Sequence, residues 1–177
     1  MKKLNNFLLI GAFEKDSGKT TFSEMLIRKF ADSGICAVKI TIYRTEDERE
    51  KFSVTEDREI RPEKDTGRLK LAGAEKVFWV RCSSFSAHEA IEELLTLLPE
   101  NVPVLCESNM ARKYLKPSLF LMVRKDKPGK MKETAQNVEK YADAVIVSKI
   151  IDGKITYKPD ITEMIKWENG KWEMAER

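Results

Sequence analysis

The sequence predicts an α/β fold, a mainly parallel sheet flanked by helices, and three observations carry that prediction. Apolar runs of strand length alternate with helical patterns through most of the 177 residues. The strand runs, such as NFLLIGAF (6–13), are continuously apolar, as strands covered on both faces are. One two-residue turn signal, Asn169-Gly170, stands apart in the tail and marks a C-terminal β-hairpin. Residues 1–150 then form the main domain, and 151–177 a hairpin extension of the same domain.

Each element follows in order. After the first strand, GKTTFSEMLIRKFADSG places Phe22, Met25, Leu26, Ile27 and Phe30 at helical spacing, with Gly34 as the stop. ICAVKITIY is a strand rich in β-branched residues. The stretch 44–64, RTEDEREKFSVTEDREIRPEK, has little apolar content and reads as a long exposed loop. DTGRLKLAGA is a short helix and KVFWVRCS a strand. Ser86 is placed to cap the helix AHEAIEELLTLL, which Pro99 ends. VPVLCE and SLFLMV are strands, KETAQNVEKYA is amphipathic, and DAVIVSK is the last strand before the tail. In the hairpin IKWENGKWEM the turn pairs Trp167 with Trp172, Ile165 with Met174 and Lys166 with Glu173, leaving one face apolar and the other charge-matched. Such a hairpin covers an edge of the sheet or serves a homodimer; edge cover is the expectation.

Composition excludes several classes. A net charge of +3 gives no footprint for nucleic acid. Cys36, Cys82 and Cys106 are scattered through apolar runs, with neither metal-pair nor disulfide spacing, and read as buried thiols. His88 is the only histidine and lies early in a helix, so histidine metal chemistry is out and a catalytic triad has no G-x-S-x-G elbow to support it. MKKLNNFLLIGAF breaks too early for a signal peptide, and no run reaches the ~20 apolar residues of a membrane helix. A cytoplasmic location follows as the expectation.

Chemistry concentrates at LLIGAFEKDSGKTTF (8–22). Gly18, Lys19 and Thr20 fit the second half of G-x-x-x-x-G-K-[ST], the phosphate-cradling loop, but its first glycine falls on Phe13, and Gly11 lies two residues too early. The context is right: a strand, then a loop, then a helix whose free N–H groups and dipole face the phosphates. Amides of Ser17, Gly18, Lys19 and Thr20 would cradle phosphate, Lys19 would reach the outer phosphates, and the Thr20 hydroxyl would bind Mg²⁺. Glu14 and Asp16 add negative charge that Lys15 offsets in part. The metal needs an acid, and Glu107, at the end of VPVLCE, is the first candidate, with Asp65 the second. No residue stands out as a general base, so turnover is open, with slow NTP hydrolysis one outcome.

With those residues in place, the chain resembles the molybdopterin-guanine dinucleotide biosynthesis protein B (MobB) family of P-loop GTP-binding proteins. KDSGKTTF is similar to that family's phosphate loop, KDTGRLKLAGAEKVFWV to its next motif, VPVLCES to its strand ending in Glu, and ADAVIVSK to its late strand beside the base. The resemblance covers roughly residues 5–150, and the order of the motifs carries it. It implies a P-loop NTPase fold that binds GTP with Mg²⁺ and assists a partner guanylyltransferase in attaching GMP to molybdopterin. It implies nucleotide contacts at Lys15, Ser17, Gly18, Lys19, Thr20 and Thr21, metal-side roles for Thr20, Glu107 and Asp65, and base contacts at Ser148 and Lys149. VSK is short of a full N-K-x-D motif, and the second strand ends in VKITIYR where the family commonly carries a histidine.

Two other classes stay open. One is an ATP-dependent ligase or kinase of the dethiobiotin-synthetase type, in which the basic run KPSLFLMVRKDKPGKMK supplies cations for a small acid. The other is a non-catalytic interaction module. Nucleotide preference separates the first from the GTP reading, and absence of turnover points to the second.

Overall fold

The first apolar run becomes β1 (Lys2–Ala12), and it is the central strand because both of its faces find cover. Phe7 and Leu9 point into one core cluster, Leu8 and Ile10 into the other. The computed structural model describes residues 1–43 and 51–175. The other strands are β2 (Cys36–Ile42), β3 (Ser53–Glu56), β4 (Lys76–Cys82), β5 (Val104–Glu107), β6 (Leu115–Lys125), β7 (Ala144–Ile151) and β8 (Lys154–Lys158). They form one sheet in the order β3-β4-β2-β5-β1-β6-β7-β8, in which β4 through β7 are parallel and the two edge strands antiparallel.

Helices cover the two faces unequally. On one side lie α1 (Lys19–Lys29), through Phe22, Leu26 and Ile27, and α2 (Asp65–Leu71), through Leu69. On the other lie α3 (Ala87–Leu97), a 3-10 turn at Met110–Lys113 and the short α4 (Glu133–Gln136). β1 therefore sends its chain to one face while its neighbours β5 and β6 send theirs to the other. That divergence opens a crevice at the carboxyl ends of these strands, where open α/β sheets bind ligands.

The hairpin β9 (Ile165–Glu168) and β10 (Lys171–Met174) has the expected register, Trp172 opposite Trp167 and Met174 opposite Ile165. Its place differs from the expectation. It forms a separate two-stranded sheet, and the edges are β3 and β8 instead. Trp172 is fully buried in the core beside α1, its ring edge-on to Phe30 at 4.9 Å and its Nε1–H donating to the Asn6 carbonyl at 2.9 Å. The hairpin covers a face of the sheet, because an indole buries far more apolar area there than along an edge.

Three further expectations change. Residues 53–56 of the anticipated loop are β3, while 44–50 lie outside the described residues. Ser86 holds the N-cap position of α3 but gives the helix no side-chain cap; its Oγ bonds back to Ser83 at 3.1 Å. The amphipathic stretch 132–142 is split into α4 and a 3-10 turn at Glu139–Tyr141, with Ala135 and Val138 buried.

The KDTG segment is explained by packing. Asp57 is buried and accepts from Thr66 Oγ1 at 2.6 Å and from Arg61 at 3.2 Å, which draws residues 57–64 against α2. A Cβ on Gly67 would stand 1.9 Å from the Arg61 carbonyl oxygen, so no larger residue fits. Gly67→Ala is expected to cost about 3 kcal/mol, as overpacking against backbone does. A urea midpoint unchanged by the substitution would show that the loop gives way freely.

Candidate functional site

The chain from β1 into α1 explains the missing glycine. Gly11 is a strand residue, glycine because a Cβ there would lie 2.7 Å from Asn109 Oδ1. That oxygen accepts from the Ala12 N–H at 2.9 Å while Asn109 Nδ2 donates to the Ala12 carbonyl at 3.0 Å. Phe13 is a core residue, 2% exposed, with the Arg124 guanidinium 4.1 Å from its ring centroid. The turn is made later, by Asp16 at φ 55° and Gly18 at φ 79°. The loop's left-handed positions are thus moved toward the helix, and position 13 needs no glycine. Tyr157, on β8, donates its hydroxyl proton to the Gly18 carbonyl at 2.6 Å and leaves little room for a Cβ on Gly18. Burial pushes the Tyr157 phenol up to about 12, so it remains a donor.

At the start of α1, charged side chains from four elements meet. Lys19 Nζ contacts Glu107 Oε2, and the Thr20 hydroxyl lies 3.3 Å from the same oxygen. Lys39, from β2, contacts that oxygen at 2.9 Å and also pairs with Asp65 at the start of α2. Arg68 grips Glu24 through two bonds, at 3.0 and 2.9 Å, and reaches Thr21 Oγ1 at 3.1 Å. A cavity of about 440 Å³ lies over this group, lined by Lys15, Lys19, Lys39, Arg68 and Lys132 among others. Five cations thus line one cavity at a helix N-terminus, against the three carboxylates Glu14, Asp16 and Asp65.

Electrostatics follow from burial. Burial alone would raise the Glu107 carboxyl, but Lys19 and Lys39 outweigh it and hold the group at about 2, so it is ionised. Burial would lower the Lys39 ammonium, yet Glu107 and Asp65 more than offset that and raise it. Lys19 is lowered, chiefly by burial, against the pull of Glu107. Lys132 is lowered by burial and then by Lys39. Among the described residues three buried side-chain polar atoms have no hydrogen-bond partner: Arg61 Nε, away from the site, and Ser17 Oγ and Glu107 Oε1 within it. Uncompensated buried oxygens of this kind are costly, and Ser17 lines the cavity.

These atoms also test for Mg²⁺. The Thr20 hydroxyl and the unpartnered Glu107 Oε1 are hard oxygen donors of the right kind, and Asp65 stands across Lys39 from them. Among the described residues no three or more His, Cys, Asp or Glu side chains gather into a metal site of their own. The donor set suits an ion that keeps water and shares phosphate oxygens.

Ser148 and Lys149 line a different, adjoining cavity of about 430 Å³, with Asp126, Ile150 and Ile155. The two cavities share Asp16, Ser17, Gly18 and Ile155, so they form one continuous groove. Asp126 pairs with Lys149 at 3.5 Å, and its backbone N–H donates to the Ser148 carbonyl at 2.9 Å. Glu14 is buried and accepts from the Lys125 N–H at 3.1 Å, so it braces the carboxyl end of β6.

The structure brings together Lys15, Ser17, Gly18, Lys19, Thr20, Thr21 and Asp65 around one cavity, with Glu107 beneath it. Lys39 and Arg68 join them without having been singled out in the sequence, Lys132 comes from the basic run 116–132, and Asp126 of the same run lines the adjoining cavity. Lys39 carried a further signal, as a lone charge inside an apolar strand. The three thiols are buried and raised by burial, Cys36 and Cys82 to about 11 and Cys106 to about 12, so they are inert. No helix among the described residues is long and apolar enough to cross a membrane. No family model, curated protein or solved structure matches the chain.

Proposed function

We propose that the chain is a P-loop protein that binds a nucleoside triphosphate with Mg²⁺, its phosphates in the cavity at the start of α1. The observation that carries this reading is the convergence of Lys19, Lys39 and Glu107 at the α1 N-terminus, beside the unpartnered Ser17 hydroxyl. In the free protein Glu107 takes the place of phosphate on Lys19. Binding exchanges that carboxylate for phosphate oxygens, and Lys39 stays to neutralise Glu107 and Asp65. Thr20 and Glu107 would hold Mg²⁺, with Asp65 nearby. The ion would supply charge neutralisation across the outer phosphates. Ser17 Oγ and the first N–H groups of α1 fix the phosphate position.

The base is proposed to be guanine, in the adjoining cavity between Ile150 and Ile155. Guanine offers two neighbouring donors on its pairing edge and adenine does not, and of the two carboxylates lining that cavity, Asp16 and Asp126, the Asp126 carboxylate, beside Ser148 and Lys149, is the proposed acceptor. Lys149 and Ser148 orient it. The motif order shared with the MobB family supports GTP and, beyond it, a role beside a molybdopterin guanylyltransferase.

Calorimetry in Mg²⁺ with GTP, GDP and ATP tests the reading. GTP is expected to bind, and Asp126→Asn to reduce its advantage over ATP by about tenfold or more, the worth of a paired base contact. Preference for ATP in the parent protein would reject the base assignment and favour the ligase or kinase class. No binding of any nucleotide would reject the whole proposal.

A further inference from the structure

We infer that a third cavity, of about 1310 Å³ on the far side of the phosphate loop, is a binding site for a small organic anion with a flat apolar part. It opens at the same carboxyl ends of the strands, between the chain leaving β2, the Ser84-Phe85 turn after β4, the 3-10 turn after β5 and the segment before α4. Sheets of this class bind ligands along that rim. The inference rests on the nucleotide reading only for what lies next door.

Charge sets the sign of the ligand. Among the described residues Lys15, Lys113, Lys130 and Lys132 line the cavity against a single carboxylate, Glu133. Apolar groups set its shape. Phe85 stands on the wall 48% exposed, and Met110 and Met131 add adaptable apolar surface. Gln136 and Asn137 offer amide donors and acceptors for orientation. A ring carrying carboxylate or phosphate satisfies all three demands, and inorganic phosphate satisfies only the first.

The wall between this cavity and the phosphate pocket is thin and rigid. Lys15 and Lys132 border both. The Lys132 N–H donates to the Phe13 carbonyl at 2.8 Å, and Asn109 ties Ala12 to Thr134. An anion in the third cavity therefore lies beside the outer phosphates of a bound nucleotide, where two lysines shield one from the other. This is the placement of a second substrate or an effector, and it differs from the guanine cavity, which lies toward β7 and β8.

The test uses pyridoxal 5′-phosphate, a flat ring bearing phosphate and an aldehyde that condenses with lysine amines. Borohydride fixes the imine, and peptide mass spectrometry locates it. Label is expected on Lys113, Lys130 and Lys132 about tenfold above the exposed Lys2 and Lys171, a difference of about 1.4 kcal/mol. Phe85→Asp, at an exposed position, is expected to remove that excess. In Lys19→Ala protein the excess should persist, which separates this site from nucleotide binding. Even labelling of all exposed lysines would overturn the proposal. So would label confined to Lys19 and Lys39 and lost in Lys19→Ala, since the anion would then simply occupy the phosphate pocket.

Discussion

Glu107→Gln is expected to lower the stability of the ligand-free protein by about 3–5 kcal/mol, the cost of removing one partner from a buried charge group. Glu107 is 1% exposed and its Oε2 serves two ammonium groups, Lys19 and Lys39. Glutamine keeps the volume, loses the charge, and offers an amide whose N–H groups compete with the lysines as donors. Asp65 alone then faces both cations, from a more exposed position. The deficit should be repaid by an added anion. Pyrophosphate is expected to raise the urea midpoint of the variant more than that of the parent, since it supplies the charge that Glu107 gave. A variant as stable as its parent in anion-free buffer would show that Glu107 is not the neutralising centre of the site.

Lys19→Ala is the converse case. Affinity for Mg²⁺·GTP is expected to fall at least about 100-fold, or about 3 kcal/mol, for loss of a charge-assisted bond to phosphate in a water-poor site. Stability should change little, because Lys39 still compensates Glu107. Calorimetry reads the first effect and urea unfolding the second. Binding retained within about threefold would remove the phosphate-loop assignment, whatever the sequence suggests.

The parts of this molecule legible in its sequence are those set by near neighbours in the chain. The Trp167–Trp172 register follows from a two-residue turn. The run from β1 through Gly18 into α1 follows from periodicity and one motif. The edge strands β3 and β8 escaped notice because SVTE and KITYK are short and half polar, as edges are. Lys39 on β2, Arg68 on α2, and Asp126 and Lys132 between β6 and α4 are brought together by tertiary packing, which no local spacing announces. Phe13 is the instructive residue. It stands where the motif has its first glycine, and its burial together with the positive φ of Asp16 and Gly18 shows a loop that turns elsewhere.

The clamp of Tyr157 on Gly18 has a consequence for synthesis. β1 is translated before every strand that flanks it: Phe7 waits for Val104, Leu8 for Leu119, and the Gly18 carbonyl for Tyr157. A nascent chain that has just completed α1 already displays the phosphate-loop residues, but it has neither Glu107 beneath them nor β8 over them. Its longest apolar strand meanwhile has two bare edges, the state in which chains associate wrongly. A ligand of the proposed site offers such a chain no shelter, because the residues that line and cover it are complete only when the last third of the chain emerges. The site is therefore completed late, and the interval in which β1 stands unpaired is the one most exposed to wrong association.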